Sequence, residues 1–432
     1  MFNFLKPMRH IQTFNAMILI VSLFLIFFYS TLHHQTVNTL RVISEKPPKQ
    51  LDLHVQDSGV KHPSTQEGFT KTDLNVHSFP ISDELGRIIP QNGAYWNRLL
   101  FSALRSLDDG ENPFRNEYPW PVCRQENEDL LRINVHDFNS YPVLFQAFLQ
   151  GMNCKSPPIL ISQPDRCSSG GKDGNSQTFL LFAIKSIPRN FEQRQAVRET
   201  WGREGVYQRG LRVRIVFLLG ASSQNDPDLS RLLSYEAKLY KDMLQWDFQD
   251  TLLNLTLKMN MLLKWTVKHC PQVSFVFSGD DDVFVNTPAL LTYLQSLEAS
   301  KASQLYVGHV ISSASPLRDH KSKYYIPSSF YDGPYPPYAG GGGFLISGSL
   351  LQPLYFISRV IPFFPIDDVY MGMCTKALEV SPQAHKGFQT FDVKEQDREN
   401  VCVHKGHLLL HHRSPQHIKR MWKGINSPLL TC

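Results

Sequence analysis

The sequence predicts an α/β protein with a mostly parallel, Rossmann-like sheet. Residues 178–185, 213–220 and 273–277 form short apolar runs rich in β-branched and aromatic residues. Segments 190–202, 226–244 and 251–270, which have helical spacing, alternate with these runs. Strands that alternate with helices are typical of βαβ units. Because ligands of such sheets bind at the carboxyl ends of the strands, we expect the functional site there.

The first 30 residues predict a signal anchor. Residues 16–29 are almost continuously apolar, and with the residues back to 13 they are long enough for a short membrane span. Bulky residues follow the run where a cleaved signal peptide, the alternative, would have small ones. Lys6 and Arg9 precede the span, so residues 1–12 are expected in the cytosol and the remainder in the lumen. We therefore expect a single-pass type II membrane protein of the secretory route.

Beyond the anchor the composition changes twice. Residues 31–90 are polar and irregular, which predicts a luminal stem that holds a globular head away from the membrane. Aromatic content rises after about residue 91, and a Gly/Ser-rich stretch lies at 167–176. These changes predict an N-terminal subregion of the head at 91–174 and a catalytic domain at 175–432.

Charge and cysteine usage limit the function. The net charge of +5 is small for 432 residues and is spread along the chain, which gives no case for nucleic-acid binding. All seven cysteines follow residue 122 without CxxC spacing, so a disulfide framework is favoured over a zinc site or a redox dithiol. Seven is odd, so at least one thiol is free or pairs between chains. Asn254 begins an N-glycosylation acceptor with Thr256, usable if this region is luminal.

Three consecutive aspartates follow the run at 273–277. Alternate residues of an extended segment point the same way, so Asp280 and Asp282 can converge while Asp281 faces elsewhere. Hard carboxylates at a ligand-binding edge suit Mg²⁺ or Mn²⁺ carried by a diphosphate. The alternative is a solvated acidic turn in which Asp282 caps the next helix. Position after a core strand favours the metal site.

Three further stretches are candidates for the site. Four glycines at 340–343 allow close backbone approach, as a wall against a sugar or phosphate requires. Asp367 and Asp368 follow an apolar segment, as if at a strand end, and either one could act in the site or cap the following helix. His411 and His412 follow another apolar run, where a histidine is a metal ligand or a structural residue.

Five motifs, in this order, resemble those of the β1,3-glycosyltransferases. They are "RQAVRETWG", "DFQDTLLNLTLK", "FVFSGDDDVFVN", "YPPYAGGGGFLISG" and "FPIDDVYMGMC". This family is the inverting, type II Golgi group of β1,3-N-acetylglucosaminyl- and β1,3-galactosyltransferases. The resemblance covers roughly residues 175–430, and the glycine motif together with "KYYIP" is similar to the N-acetylglucosaminyl branch.

The resemblance implies a GT-A fold, in which a Rossmann-like nucleotide-binding half is joined to an acceptor-binding half. It also implies UDP-GlcNAc as the donor, Mn²⁺ as the cofactor, and the galactose-ended glycans of glycoproteins or glycolipids as acceptors. An inverting transfer requires one carboxylate to take the proton of the attacking hydroxyl. It also requires charge neutralisation on the departing diphosphate, which a metal supplies.

Roles for individual residues follow from the same resemblance. Asp368 is the expected base, and Asp367 orients the acceptor or caps a helix. His412 has no counterpart in the family pattern, so it is not an expected ligand. The implied metal ligands are Asp282, Asp280 and His411; the implied donor contacts are Lys185, Arg194, Arg198, Asp250, Asp280 and Asp281; the implied sugar and acceptor contacts are Tyr338, Gly341, Gly342 and Gly343.

Two other functions remain open at this stage. A β1,3-galactosyltransferase would use UDP-Gal with the same base and metal. A non-catalytic membrane lectin is disfavoured, because the aspartates and the base are all present. Association of the chain with itself or with another glycosyltransferase is also left open.

Overall fold

The computed structural model describes residues 81–110, 120, 122–167, 177–221 and 226–432. The chain separates into a unit of residues 1–75 and a unit of residues 76–432, and the described residues all belong to the second. The expected cytosolic tail, signal anchor and most of the stem lie outside the described residues. Within the described part of the chain, no helix has the length and apolar character of a membrane span.

The second unit contains short and long helices around two sheets. The helices are α1 Glu84–Ile88, α2 Tyr95–Asp108, α3 Val122–Asn134, α4 Val143–Gly151, α5 Phe191–Glu199, α6 Pro227–Tyr240, α7 Leu255–His269, α8 Thr287–Gln295, α9 Ala299–Ser303, α10 Leu351–Val360, α11 Asp367–Ala377, α12 Val401–Lys405 and α13 Pro415–Ile425. The strands are β1 Ile159–Ile161, β2 Thr178–Lys185, β3 Gly205–Val206, β4 Arg212–Ala221, β5 Met243–Gln249, β6 Phe275–Asp280, β7 Phe284–Val285, β8 Tyr306–Ile311, β9 Tyr338–Ser347, β10 Gln383–Ala384, β11 Phe388–Gln389 and β12 Leu409–Leu410.

The main sheet has the strand order β1-β5-β4-β2-β6-β9-β8-β10, and β3 pairs beside β4. Strands β5, β4, β2 and β6 are parallel, and the helices α5, α6 and α7 connect them in sequence. Strand β9 runs antiparallel to both β6 and β8. The fold is therefore a mixed α/β fold whose parallel part is the predicted one, and the antiparallel strands extend the sheet on both sides.

The parallel part contains a point where the strand order reverses. The chain proceeds outward from β2 through β4 to β5 and then returns to place β6 on the other side of β2. Lys185 ends β2 directly opposite Asp280, which ends β6. Ligands of open α/β sheets bind in the crevice at such a point. The backbone therefore places a lysine and the first aspartate of the acidic run where a ligand site is expected.

Each face of the sheet is covered by its own apolar core. Along β2, Leu181 and Ala183 face a core that includes residues of α2, α4, α7, α10 and α11. Phe182 and Ile184 face the opposite core, with residues of α5, α6, α8 and α13. Strands buried on both faces read as continuous apolar runs, which explains why these strands could be predicted.

The folded head includes residues that the sequence assigned to the stem. Leu85 in α1 and Ile89, which directly follows α1, are fully buried in the first of these cores. The backbone amide of Ser82 donates to the carbonyl of Ala377 at 2.9 Å. The predicted stem boundary at residue 90 is therefore wrong for residues 81–90, whose apolar residues are too few to stand out in a polar sequence.

The subregion at 91–174 is likewise part of one unit with the catalytic domain. Trp96 in α2 is fully buried, and its indole nitrogen donates to the carbonyls of Pro362 at 3.2 Å and Phe363 at 3.0 Å. These two residues lead directly into α11. The N-terminal helices therefore support the segment that begins α11, at the second acidic motif.

One predicted helix is shorter than expected. The segment 226–244 forms a helix only to Tyr240, since Lys241 takes a left-handed conformation with φ of 53°. Residues 243–249 then form β5, beside β4. This strand was not predicted, because its apolar residues continue the helical spacing that precedes them.

The cysteines pair within the chain. The disulfides are Cys123–Cys154, Cys167–Cys270 and Cys402–Cys432, and the seventh cysteine, Cys374, is free and buried in α11. The odd thiol expected from the sequence is thus a core residue of α11. The other six form three intramolecular disulfides, which is typical of proteins in oxidising compartments.

Candidate functional site

The three aspartates at the end of β6 separate into two directions. Asp281 is buried and accepts hydrogen bonds from the Ser186 hydroxyl at 2.6 Å and the Asn190 amide at 2.9 Å. Burial raises the pKa of Asp281 to about 6, although these two hydrogen bonds oppose the increase. Asp280 and Asp282 point instead toward His411, as alternation along an extended segment predicts.

A small second sheet brings the C-terminal histidines to the aspartates. Strand β7 begins two residues after the aspartates and pairs antiparallel with β12, so that Leu410 lies opposite Phe284. The residues that follow β12 therefore run antiparallel beside the three aspartates. There the Arg413 amide donates to the Asp282 carbonyl at 2.7 Å. This register, which no local pattern reveals, sets the position of His411.

His411 and His412 both approach Asp282. The His411 Nε2 atom lies 3.3 Å from Asp282 Oδ1 and 3.8 Å from Asp280 Oδ2, and the His412 Nδ1 atom lies 3.7 Å from Asp282 Oδ2. The two imidazole rings stack with their centroids 3.9 Å apart. His412 adopts a left-handed conformation with φ of 57°, which turns its ring toward the aspartate instead of away from it.

The arrangement of these side chains fits a divalent cation. Asp282, His411 and His412 each offer one ligand atom, and the three atoms lie within 4.8 Å of one another. Burial alone would raise the pKa of Asp282, but the hydrogen bond and charge of His411 keep it below its ordinary value. A carboxylate beside two imidazoles is a donor set that first-row divalent metal ions accept.

His412 was the residue that sequence reasoning discounted. Adjacent residues of a strand point to opposite faces, so two neighbouring histidines are not expected to reach one point. The left-handed backbone at His412 removes this restriction. The only sequence signal was the histidine pair itself, directly after an apolar run.

The second acidic motif begins a helix. Asp367 and Asp368 are the first two residues of α11, so the expected strand end is wrong, although consecutive helical residues also point in different directions. Asp367 is buried and accepts a hydrogen bond from the Lys185 ammonium at 2.8 Å. Lys185 also lies 3.1 Å from Asp280 Oδ1. Burial disfavours the Lys185 cation, but Asp280 and Asp367 raise its pKa well above the ordinary value.

Asp368 faces a cavity of about 560 Å³. Burial raises the pKa of Asp368 to about 8, and the neighbouring Asp367 carboxylate adds to this increase, while Lys185 and a hydrogen bond from the Gly341 backbone oppose it. Asp367 does not line this cavity, whereas His411 and His412 do. A carboxylate that titrates near neutral pH and lies in a cavity beside a candidate metal site is suited to proton transfer.

The glycines of β9 allow neighbouring side chains to approach the backbone of this strand closely. A Cβ atom at Gly342, where φ is 79°, would lie 2.9 Å from Cγ of His411. At Gly343 it would lie 2.5 Å from the Phe277 ring. Gly341 is less crowded, since the nearest atom to its Cβ position is Asp368 Oδ2 at 3.7 Å. These glycines form part of a strand, and Gly342 leaves room for the His411 ring.

Tyr338 begins β9 and lines the same cavity. Its ring is largely buried, which raises the pKa of its hydroxyl to about 12. The Tyr338 hydroxyl is therefore neutral and can donate or accept a hydrogen bond inside the cavity.

The two predicted donor-side arginines are held by protein groups. Arg194 is fully buried and forms two bonds with Glu236, at 2.9 and 2.6 Å. It also donates to the Ser186 hydroxyl at 3.0 Å, and Ser186 in turn holds Asp281. Arg198 binds Glu236 at 2.7 Å and Asp242 at 2.7 Å. Both guanidinium groups are paired with carboxylates of the protein, and Arg194 reaches the acidic run through Ser186.

Asp250 also lies beside the ends of the parallel strands. Its carboxylate accepts the Gly220 amide at 2.7 Å and pairs with the buried Lys258 ammonium at 2.8 Å. Lys258 also donates to the Ser186 carbonyl at 2.7 Å. Asp250, together with its partner Lys258, therefore connects the end of β4 to the end of β2 at the ligand-binding edge.

Known proteins of similar sequence identify the family of the chain. Residues 192–386, which include both acidic motifs and the glycines, match the Galactosyltransferase family. Mouse N-acetyllactosaminide beta-1,3-N-acetylglucosaminyltransferase 2 is 46% identical in an alignment of 357 positions, which covers 78% of this chain and 86% of the relative. The chain belongs to the galactosyltransferase family. Within this family the human protein of the same name is 46% identical, over 78% of this chain and 86% of the relative.

A further family member shows a similar extent of likeness. Human UDP-GlcNAc:betaGal beta-1,3-N-acetylglucosaminyltransferase 8 is 38% identical over 82% of this chain and 86% of its own length. The alignments with these relatives are longer than the catalytic domain predicted at residues 175–432. The likeness to this family therefore includes residues N-terminal to the motifs, in agreement with the single folded unit.

Proposed function

We propose that the protein transfers N-acetylglucosamine from UDP-GlcNAc, in β1,3 linkage, to a terminal galactose of glycoprotein or glycolipid glycans. The observation that supports this proposal most strongly is the position of Asp368, in a cavity that His411 and His412 also line. The relatives described above are named as β-1,3-N-acetylglucosaminyltransferases, which favours UDP-GlcNAc over UDP-Gal as the donor.

Asp368 acts as the general base in this proposal. Its carboxylate takes the proton of the galactose 3-hydroxyl while that oxygen attacks the anomeric carbon from the face opposite the departing diphosphate. Asp367 contributes indirectly: its bond to Lys185 fixes the first turn of α11, and its charge raises the pKa of Asp368. A higher pKa makes Asp368 a stronger base once it is ionised.

Asp282, His411 and His412 would hold Mn²⁺, which would supply positive charge beside the departing diphosphate. Asp280 is oriented by Lys185, and Asp281 is oriented by Ser186 and Asn190. These fixed carboxylates, with Asp250 at the neighbouring strand end, make an edge suited to the uridine and ribose of the donor. The reversal of strand order at β2 and β6 supports the GT-A form of the fold.

We also propose that the chain is anchored in the Golgi membrane, with its catalytic head in the lumen. The apolar run at 16–29 and the positive charge before it support this topology. The three intramolecular disulfides support it as well, because disulfides persist in oxidising compartments.

The test is a transfer assay on the full-length chain in mild detergent. UDP-GlcNAc or UDP-Gal is supplied with Mn²⁺ and methyl β-N-acetyllactosaminide, and the product linkage is read by NMR. We expect a β1,3-linked N-acetylglucosamine product and no product with Asp368→Asn within the same time. A galactosylated product would transfer the assignment to the galactosyltransferase alternative, and release of free sugar without any transfer would contradict both.

A further inference from the structure

We propose that Thr390 is a positioning residue that connects the proposed base to the candidate metal site. This inference rests on the proposed function and adds one residue to its mechanism. Thr390 is buried, follows β11 directly and lines the same cavity as Asp368 and His411. Its carbonyl holds the His411 ring, and its hydroxyl holds the glycine segment that contacts Asp368.

The backbone carbonyl of Thr390 determines which nitrogen of His411 carries the proton. His411 Nδ1 lies 3.1 Å from this carbonyl oxygen. A carbonyl oxygen only accepts hydrogen bonds, so Nδ1 is the protonated nitrogen. In the neutral ring Nε2 then has a free lone pair, and Nε2 is the atom that lies 3.3 Å from Asp282 Oδ1. Metal-binding histidines have this arrangement, in which one nitrogen binds the ion and the other donates to an oxygen.

Strand pairing places Thr390 beside His411. Strands β11 and β12 are parallel, and Gln389 of β11 lies opposite Leu410 of β12. The residues that follow these two, Thr390 and His411, are therefore neighbours as well. The His411 amide donates to the Gln389 carbonyl at 3.2 Å, which continues the pairing past the end of β12. The contact between the Thr390 carbonyl and the imidazole is thus a consequence of the register of the small sheet.

Arg413 fastens the same two chain segments at their far side. Its guanidinium is fully buried and donates to the carboxylate of Asp392, two residues beyond Thr390. It also donates to the His411 carbonyl at 2.9 Å. The Thr390 carbonyl therefore lies in a short stretch that is fixed on both sides. The His411 ring is oriented before any ion binds, as a precise metal site requires.

The hydroxyl of Thr390 supports a bulge in the glycine segment of β9. Where β9 pairs with β8, residues 341–344 correspond to a single residue of β8, Gly308. A bulge disrupts the ladder locally and leaves extra residues of the longer strand unpaired there. The Thr390 hydroxyl donates to the Gly341 carbonyl at 2.8 Å, and the Gly340 carbonyl lies 3.2 Å from the same oxygen. The threonine side chain therefore supplies a hydrogen-bond donor to the bulge.

The bulge in turn contacts the proposed base. The Gly341 backbone donates a hydrogen bond to the Asp368 carboxylate. A Cβ atom placed on Gly341 would lie 3.7 Å from both Asp368 Oδ2 and Thr390 Cγ2. It would lie 3.9 Å from Cε1 of His411. Gly341 is thus in contact range of all three side chains, and a shift of this residue would move the hydrogen-bond donor of the base.

The experiment removes the hydroxyl, because substitution cannot remove the carbonyl. Thr390→Ala and Thr390→Ser differ from each other only in this hydroxyl, so their comparison isolates it. The full-length chain in mild detergent is titrated with Mn²⁺ in the presence of UDP, and the electron paramagnetic resonance signal of free Mn²⁺ gives the affinity without turnover. Transfer to methyl β-N-acetyllactosaminide at saturating Mn²⁺ then gives kcat and KM for UDP-GlcNAc.

We expect Thr390→Ala to weaken both functions of the site. Loss of a group that orients a metal ligand lowers metal affinity or activity roughly 10–100-fold, so Mn²⁺ affinity and kcat should each fall by at least about tenfold. KM for UDP-GlcNAc at saturating Mn²⁺ should stay within about twofold, because the hydroxyl does not contact the donor in this proposal. Thr390→Ser should recover most of both losses.

Thr266→Ala is the matched control. Thr266 is also fully buried, and its hydroxyl donates to the Leu262 carbonyl at 2.9 Å within α7, which carries none of the proposed ligands or the base. This variant should change neither Mn²⁺ affinity nor kcat. Urea unfolding reports the stability of every variant. If Thr390→Ala does not fold, Thr390→Val replaces it, since valine fills the volume of threonine without the hydroxyl.

The outcomes separate this inference from the function on which it depends. Wild-type Mn²⁺ affinity and kcat in folded Thr390→Ala would overturn the inference and leave the transferase assignment intact. Equal losses in Thr390→Ser and Thr390→Ala would also overturn it, since the hydroxyl would then not be the cause. If wild type transfers no sugar, the proposed function fails and the connection to a base fails with it. A loss of Mn²⁺ affinity in Thr390→Ala would still support the role of Thr390 toward His411.

Discussion

Lys185 donates a hydrogen bond to Asp367 at 2.8 Å across 182 positions of the sequence. The same ammonium lies 3.1 Å from Asp280, so one buried cation connects the end of β6 to the start of α11. The same ammonium group therefore stabilises a carboxylate beside the candidate metal site and the carboxylate next to the proposed base. A change at Lys185 is expected to affect both.

The first prediction concerns this cation. Lys185→Met leaves Asp367 and Asp280 close together without their shared partner, and loss of one member of a buried ion pair lowers the free energy of unfolding by roughly 3–5 kcal/mol. Urea unfolding of the full-length chain measures this change. Lys301→Met is the matched control, because Lys301 is 65% exposed and forms its ion pair with the exposed Glu298. Equal stability of the two variants would contradict the bridging role.

The second prediction concerns pH. A general base must be ionised, and burial raises the pKa of Asp368 to about 8, so kcat/KM should rise with pH, reach half of its plateau near that value and level off above it. Lys185→Met removes a positive charge that lowers this pKa and should move the acid limb to higher pH. Asp367→Asn removes a negative charge that raises it and should move the limb to lower pH. Shifts of the same sign in both variants would exclude Asp368 as the titrating group.

A third prediction concerns the metal. Asp282→Asn, His411→Ala and His412→Ala should each weaken Mn²⁺ binding in the presence of UDP, by roughly 10–100-fold, as is usual for side chains that hold or orient a metal ion. The electron paramagnetic resonance signal of free Mn²⁺ measures this directly, without turnover. His136→Ala provides an exposed histidine as the control. Unchanged affinity in His412→Ala would restrict the site to Asp282 and His411.

The central strands and the acidic motifs could be predicted because local pattern determines them. Strands β2, β4 and β6 are buried on both faces, so their sequences are continuous apolar runs. The divergence of Asp281 from its neighbours follows from the alternation of an extended chain. These features depend on residues close together in the sequence, which a single sequence contains in full.

The features that were missed depend on distant residues. The contact of His412 with Asp282 requires the pairing of β12 with β7 and a left-handed residue that is not glycine. The role of Arg194 as a buried partner of Glu236 requires α5 and α6 to cover the same face of the sheet. The sequence of α5 alone shows neither this partner nor the burial of Arg194.

A fourth prediction concerns the glycan at Asn254. The test should use Asn254→Gln, because Thr256, the other essential residue of the acceptor, is fully buried and donates its hydroxyl to the Phe364 carbonyl. Thr256→Ala would therefore disturb the fold as well as the glycan. In a secretory host, wild type should lose the mass of one glycan on glycosidase treatment. Asn254→Gln should show no such loss, whereas Asn426→Gln should behave as wild type. No shift in wild type would contradict luminal use of this site.

The last prediction separates the base from its neighbour. General-base assistance is worth roughly 10²–10⁴ in rate, so Asp368→Asn should lower kcat by about that factor. UDP and Mn²⁺ binding should survive, because Asp368 is not one of the proposed metal ligands and the side chain keeps its shape as Asn. Thermal stability should not fall, since removal of a buried carboxylate beside Asp367 relieves repulsion.

Asp367→Asn should have the opposite pattern. Its carboxylate accepts the Lys185 ammonium at 2.8 Å and does not line the cavity, so its loss should lower stability and leave substantial residual turnover. The comparison requires kcat, UDP affinity and urea unfolding for both variants under the same conditions. If Asp367→Asn abolished turnover with its stability intact while Asp368→Asn remained active, the base would be Asp367. The direction of the Lys185 bond would then have to change when substrates bind, since in this structure that bond holds Asp367 away from the cavity.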